Sequence, residues 1–520
     1  MSNYNTALKE MVFSLNLSIV SPKEESRREE LFDFRISSAA KILEGIETGN
    51  TAFVADTGTG KTIVAFLVSL FLHTQEEKRT LFLVPQRILA GQHKALLQNI
   101  AKENAPESRV IIGTTKKKDR DWNRSPFTFA TPQTFLKEMG RGNTHPTNFH
   151  FLVVDEFHKG QGKYAYVPLV HMFKEHRIPI LPLSASPGGN EEKIAIIKEI
   201  FGIKHWIRGS IAMPEKKENV TVVNLDAVLK VLDQKFLSMF RSAEHQLKEC
   251  GFLNYKSNQM DFFKSDSNFK KKSHILSQRE LVSLKKEIDE FRYTHYEGLS
   301  LYGIYMKLRH AYSVCMTESY HTFLSFTQRL EEKNASRGSR TSIHRFLHHP
   351  HMQDIINLAY KHKDEHPKAL SLLSLANLEK EGRGIIFVGE KETGLYLHDR
   401  LSQSGLNTDI LFGGVGKSLK HQNQVILSLT NGSLQFAIST SVVKEGLNIP
   451  EIGVVIHYSL SKTGIELIQG NGRVGRTFPG KIHFIILSHP LDSAMYWSAK
   501  RQLRVMRKVI EEKTPIFQFA

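Results

Sequence analysis

Apolar residues along this chain fall into two regimes. Between residues 27 and 210, short apolar runs at 51–55, 80–84, 127–130, 150–154 and 178–184 alternate with stretches of helical periodicity. Each run is bounded by Gly, Pro or charged residues. Short strands that are apolar throughout suit a parallel sheet, because helices then cover both faces. The alternation returns from 384 to 490, with strands predicted at 384–388, 407–412, 436–439, 454–458 and 481–487. The interval between lacks strand punctuation and carries long helical periodicity over 281–302 and 302–323, with polar breaks at 256–277 and 331–342. The pattern predicts an α/β chain of two parallel-sheet domains with a helical insertion between them. The expected boundaries are an N-terminal extension at 1–26, a first sheet domain at 27–210, the insertion at 211–350 and a second sheet domain at 351–520.

Composition narrows the function classes. The 520 residues carry 70 Lys plus Arg against 53 Asp plus Glu, a formal charge of +17. A positive field concentrates phosphate chains, so a nucleic-acid partner is the natural inference, although a generically basic surface gives the same number. No apolar run approaches the roughly 18 residues of a membrane helix, and the N-terminus lacks a secretory pattern. The two cysteines, Cys250 and Cys315, form no CxxC pair. A cytoplasmic, reducing location is expected, without membrane attachment, zinc site or disulfide framework.

The chemistry begins at Asp56-Thr57-Gly58-Thr59-Gly60-Lys61-Thr62, which follows one predicted strand and opens an apolar helix. Small residues let successive backbone N–H groups converge on a phosphate, and the helix N-terminus adds partial positive charge. Lys61 would meet the β- and γ-phosphates of ATP, and the Thr62 hydroxyl would hold Mg²⁺. At the end of another strand stand Asp155 and Glu156, within Val153-Val154-Asp155-Glu156-Phe157-His158. Asp155 is a second Mg²⁺ ligand in this reading, and Glu156 polarises the attacking water. His158 would couple hydrolysis to Ser184 and Ser186 of the following Leu183-Ser184-Ala185-Ser186-Pro187 segment; a packing role for His158 is the alternative.

In the second sheet domain, Gln469-Gly470-Asn471-Gly472-Arg473-Val474-Gly475-Arg476 carries two arginines about one helical turn apart. Arginine stays ionised and makes paired hydrogen bonds, which suits the charge developing on a γ-phosphate. Arginines on the opposite domain would make hydrolysis depend on closure of two lobes. Thr440 and Ser441 follow a strand and can donate to a backbone phosphate, while Gly446 and Asn448 are expected near the nucleotide ribose. Pro85, Arg87, Gln92, Thr131 and Gln133 on the first lobe, with Gly389 on the second, complete a sequence-independent nucleic-acid track.

The motifs and their order resemble the superfamily-2 helicases, and more closely the archaeal Hef and Fanconi-M-type helicases. Leu81-Phe82-Leu83-Val84-Pro85 with Gln92-His93, the segment from Leu183 to Lys193, and Asp492-Ser493-Ala494-Met495-Tyr496-Trp497 carry that resemblance. It implies RecA-like sheet domains, an insertion that grips branched or forked DNA, and ATP-dependent action on it. It also implies a catalytic place for Gln469 beside Arg473 and Arg476. Archaeal Hef often carries a C-terminal nuclease, so the resemblance leaves room for a separate nuclease or repair partner. There are departures. The family's adenine-reading Arg-x-Tyr-Gln stands here as Arg35-Ile36-Ser37-Ser38, keeping the arginine as a nucleotide contact but not the glutamine. Gly470 replaces an arginine, Asn448 an aspartate, and Phe157 brings a bulky ring beside the carboxylates. RNA-directed relatives share this layout, so an RNA substrate stays open, as does a nucleotide-gated clamp that does not unwind.

Overall fold

The computed structural model describes residues 3–186, 191–211, 214–253, 275–290, 296–335, 342–412, 419–440, 451–460, 467, 470–472, 474, 479–513 and 516–517. The first sheet comprises β1 (Asn50–Ala55), β2 (Thr80–Leu83), β3 (Ser108–Ile111), β4 (Phe127–Ala130), β5 (Phe151–Asp155), β6 (Ile180–Ser184) and β7 (Ile203–Gly209). The second comprises β8 (Lys216–Val223), β9 (Gly384–Val388), β10 (Thr408–Leu411), β11 (Phe436–Thr440), β12 (Val454–His457) and β13 (Gly480–Leu487). A short strand, β14 (Ile516–Phe517), returns to pair with β7, giving orders β14-β7-β1-β6-β5-β2-β4-β3 and β10-β11-β9-β12-β13-β8. The described pairings are all parallel.

Alternation of side chains along each strand divides the cores. Phe53 and Ala55 of β1 join one cluster with Phe82, Val153 and Leu183, whereas Ala52 and Val54 join the opposite one with Leu81, Val154 and Ile180. In the second sheet, Ile386 and Val388 face one cluster and Ile385 and Phe387 the other. Because both faces are buried, polar groups able to act on a ligand are displaced to the strand ends. Parallel strands place all their C-terminal ends along one edge of the sheet, where ligands of such folds collect.

Four strands were not anticipated: β3, β7, β8 and the two-residue β14. β3 and β8 are sheet edges, and their sequences, Ser108-Arg109-Val110-Ile111 and Lys216 to Val223, leave polar residues partly exposed. β7 alternates buried and part-exposed residues for the same reason. β8 changes the organisation most. It lies within the interval expected to be helical, yet pairs with β13 from Lys216↔Gly480 to Val223↔Leu487. The expected N-terminal extension is likewise integral: Leu8, Met11 and Val12 of the helix Asn3–Ser14 are buried in the first sheet's core.

The intervening block packs helices Ala227–Glu249, Gln278–Glu290, Tyr296–Thr317, Tyr320–Ala335, Ser342–Leu347 and Pro350–Lys361 around its own core. Asp226 caps the first of them, its carboxylate accepting from Leu229 N at 2.7 Å. The helical runs predicted over 281–302 and 302–323 are interrupted at Glu318–Ser319, and residues 291–295 lie outside the described set. Leu487 and Leu491 of the second sheet domain enter this helical core, so block and second lobe share packing.

Candidate nucleotide and nucleic-acid site

The phosphate loop leaves β1 at Ala55 and turns through Gly58 and Gly60, whose φ of 91° and 94° only glycine adopts readily. Thr59 is buried, and its hydroxyl donates to Asp56 O at 2.9 Å, closing the curl. Thr57 and Thr62 are half-buried and Asp56 is exposed. The helix Lys61–Glu76 starts here, with Val64 N bonded to Gly60 O, so the amides of its first turn are directed into the loop. Lys61 Nζ donates to Ala55 O at 2.8 Å and Asp56 O at 3.0 Å, which lays its charge across the curl.

Arg35 departs from expectation. Its side chain is fully buried, with Nη2 paired to Glu24 at 2.7 Å, a second nitrogen on Ile19 O, and Nε 3.3 Å from Thr59 O. A Cβ at Gly60 would lie 2.6 Å from Arg35 Nε, so the glycine is also required for this close approach. The guanidinium braces the phosphate loop from behind, since its donors are spent on the protein. Ser37 and Ser38 are buried with it.

The carboxylates stand at the end of β5. Asp155 Oδ2 is 3.2 Å from His93 Nε2, and Oδ1 accepts from Glu156 N at 3.0 Å. Tyr166 OH donates to the Asp155 carbonyl at 2.8 Å. His93 is buried edge-on to Phe66 and Phe129, which fixes its ring. It was not among the predicted site residues; the Gln92-His93 pair was the available signal, but its partner lies 62 positions away. Glu156 has φ 51°, a left-handed conformation that is strained for a non-glycine residue and turns its carboxylate toward the next strand end. There His158 Nδ1 lies 3.2 Å from Glu156 Oε2 and 3.0 Å from Ser184 Oγ, and Ser184 Oγ lies 3.4 Å from the same carboxylate oxygen. Ser184 Oγ donates to Ser186 O at 2.6 Å and accepts from Ser186 N at 3.1 Å. Burial alone would raise the Glu156 carboxyl, but the His158 hydrogen bond and the charges of His158, Lys61 and Lys159 outweigh it and hold the group well below the carboxylate range. Phe157, expected beside the site, is buried against Phe201 and Trp206 instead.

This donor set fits a magnesium–nucleotide. It offers a glycine curl and helix N-terminus for phosphate, one lysine, and a hydroxyl and a carboxylate in the roles of Thr62 and Asp155. A carboxylate held ionised can act as base toward water.

The remaining first-lobe positions follow β2 and β4 on the same edge. Pro85 and Gln92 are half-buried and Arg87 is exposed, its Nη2 resting 3.1 Å from where a Cβ on Gly113 would sit. Thr131 is buried with its hydroxyl 2.8 Å from that of Thr134, at the start of the helix Pro132–Met139, and Gln133 is exposed. On the second lobe, Thr440 pairs in register with Val388, which brings it beside Gly389. The buried Thr440 Oγ1 has no hydrogen-bond partner among the described residues. Ser441, Gly446, Asn448, Gln469, Arg473 and Arg476 lie outside the described residues. Their neighbours show how the last motif is anchored. Asn471 Oδ1 is 2.8 Å from His457 Nε2, Val474 is fully buried, and a Cβ at Gly470 would already touch Phe387 and His457 at 3.2 Å.

With this geometry in view, two family models match the chain: type III restriction enzyme, res subunit, over residues 29–188, and helicase conserved C-terminal domain, over 365–478. The solved Hef helicase domain of Pyrococcus furiosus superposes with a TM-score of 0.61 at 24% identity, covering 89% of this chain and 97% of that one. The chain thus carries both matched domains in order and shares the fold of the Hef helicase domain. A Methanocaldococcus jannaschii protein named as an ATP-dependent RNA helicase is 28% identical over 89% of this chain and 59% of its own length. The ATP-dependent DNA helicase MPH1 of Pyricularia oryzae is 24% identical over 89% of this chain and 44% of its own. The chain therefore spans about half the length of the curated relatives it matches. Among the described residues, no helix is long and apolar enough to cross a membrane.

Proposed function

We propose that this chain is the motor of an ATP-dependent DNA helicase or translocase that acts on forked or branched DNA inside the cell. The observation that carries the reading is the bonded series Glu156–His158–Ser184–Ser186, which runs from the end of β5 to the end of β6 beside the phosphate loop. In this reading Lys61 and the loop amides bind the ATP phosphates, and Thr62 and Asp155 hold Mg²⁺. Glu156 takes the proton of the attacking water. Magnesium, when bound, screens the phosphate charge; the protein's own task is to orient and to exclude water. His158 and Ser184 transmit the state of Glu156 to the neighbouring strand end, and Arg473 and Arg476 reach the γ-phosphate when the lobes close. Pro85, Arg87, Gln92, Thr131 and Gln133 would contact the nucleic-acid backbone from the first lobe, and Gly389, Thr440 and Ser441 from the second.

The MPH1 relative supports DNA, and the name of the Methanocaldococcus jannaschii relative supports a second reading, an RNA-directed motor. One ATPase panel separates them, using forked DNA, a four-way junction, single strands and duplex RNA at fixed salt. Stimulation by forked or junction DNA is expected. Selective stimulation by duplex RNA would replace the DNA reading, and turnover indifferent to every nucleic acid would remove the motor reading altogether.

A further inference from the structure

The turn between the helices Tyr296–Thr317 and Tyr320–Ala335 inserts an acid into the second lobe. Glu318 is buried at 8% exposure. Its carboxylate Oε2 accepts from Ser459 Oγ at 2.7 Å, and its backbone carbonyl accepts from Tyr458 OH. Both partners immediately follow β12. Oε1 lies against Gly389, which follows β9: a Cβ there would fall 2.6 Å from it, so the approach requires glycine. One side chain from the helical block thus touches the C-terminal ends of two neighbouring strands. Thr440 stands beside them at the end of β11, which pairs with the other side of β9. These are the strand ends where the proposed backbone-contacting residues sit.

The surroundings lock the turn in place. Ser319 accepts from Thr322 N at 3.1 Å, and Thr322 Oγ1 lies 2.7 Å from Thr393 Oγ1 of the second lobe. Lys368 donates to Thr317 O at 3.0 Å and to Asp492 at 2.7 Å, with both side chains fully buried. Asp492 also accepts from Leu487 N at 2.9 Å. Such a buried hydrogen-bonded network favours one arrangement over others, although Asp492 Oδ1 has no partner among the described residues. The phosphate loop and the Asp155–Glu156 pair make no use of it.

We propose that Glu318 is a positioning residue for nucleic-acid binding: carried by the helical block, its carboxyl sets the β9 and β12 ends of the second lobe and so links occupancy of the block to the backbone-phosphate contacts there. The inference rests on the motor reading above. The charge of this carboxyl matters because a phosphate chain at that edge meets either a neutral or a negative group. Burial raises the group to about 7, opposed by Lys368 and by the hydrogen bonds of Ser459 and Thr393, with Asp492 adding to the rise. The titratable groups around it are Lys368 on the helix Pro367–Leu378, Asp492 on the helix beginning at Pro490, Tyr458 after β12 and, beyond that ring, Tyr396 on the helix Lys391–Gln403. Protonation therefore favours a phosphate at the strand ends, and ionisation disfavours it.

The test compares the wild-type chain with Glu318→Gln, a shape-conserving neutral variant. The concentration of forked DNA that half-stimulates ATP turnover is measured from about pH 6 to about pH 8.5, a range that spans the titration. In the wild type it should rise with pH about threefold more than in Glu318→Gln, while the maximal rates of the two stay close. Thermal unfolding supplies a second readout that needs no nucleic acid. A carboxyl raised in the folded state binds more protons than in the unfolded state, so it costs stability as pH rises from the ordinary carboxylate value to about 7. Glu318→Gln should accordingly melt above the wild type at about pH 8, with the gap closing toward about pH 5. Parallel pH profiles in both assays would overturn the proposal. If no nucleic acid stimulates the wild type while the melting gap behaves as described, the motor reading fails and the link to nucleic acid falls with it, leaving Glu318 as an interdomain clasp alone.

Discussion

The two lobes are built alike but finish their active edges differently. In the first, the groups at the ends of β1, β5 and β6 hold one another: Lys61 on Ala55 O and Asp56 O, Glu156 with His158, His158 with Ser184. In the second, the ends of β9 and β12 are held from outside, by Glu318 of the helical block. A parallel sheet exposes the same kind of edge in both cases. What differs is the source of the partner. In the proposed reading the first edge fixes charge around a nucleotide, and the second registers where another domain sits.

The most forceful way to break this contrast is to remove charge from the first edge. Lys61→Ala should lower ATP turnover by about a thousandfold or more, because in the proposed site the lysine meets the phosphates and catalysis of phosphoryl transfer is largely electrostatic. DNA binding should persist, as judged by fluorescence anisotropy. Retention of DNA-stimulated turnover would move the nucleotide site elsewhere. Arg35→Met tests whether the loop is braced from behind. It strands Glu24, a cost of about 3 kcal/mol for a mostly buried pair, read by urea unfolding. Arg35 holds the Glu24 carboxyl below its ordinary value against the rise that burial would cause. That stabilisation is present above the ordinary carboxylate value and is lost as pH falls through the lowered one, so the gap between wild type and variant should shrink in acid. A gap independent of pH would argue against the pair.

His93→Ala asks whether Asp155 is positioned by its neighbour. Turnover should fall about tenfold, with a higher Mg²⁺ concentration needed for half-maximal rate, as for other partners of metal-binding carboxylates. His93→Asn, which keeps a donor, should recover part of the loss. At the second edge, Ser459→Ala should raise the half-stimulating DNA concentration about two- to threefold with little change in maximal rate when compared with the wild type at about pH 5.5, where the raised Glu318 carboxyl is protonated in both, the scale of one partly compensated hydrogen bond. An equal loss at saturating DNA would indicate that Ser459 serves the nucleotide edge instead.

The same contrast explains what could be read in the sequence. The central strands were legible because they are short, mostly apolar runs buried on both faces, and the phosphate loop and the carboxylate pair because their residues are contiguous. The edge strands β3 and β8 were not, since a half-covered strand mixes polar with apolar residues and β8 reads as part of a polar helix-bearing interval. Arg35 was misplaced because the local pattern pointed to the nucleotide, whereas its partner Glu24 lies upstream in a segment that read as an extension. Phe157 was misplaced because its neighbours Phe201 and Trp206 are remote in sequence. Nothing local marks Glu318, and for His93 the Gln92-His93 pair is the sole local signal: their partners are brought in by topology, 141 and 62 positions away.

The central claim is that nucleic acid drives hydrolysis at the first lobe's edge. It is tested most directly by steady-state ATP turnover of the wild type and Glu156→Gln, each with and without forked DNA. Expected is a wild-type rate raised at least about tenfold by the fork, and a Glu156→Gln rate about a hundredfold lower in its presence with ATP affinity retained. Turnover by Glu156→Gln at the wild-type rate, with the same stimulation, would contradict it.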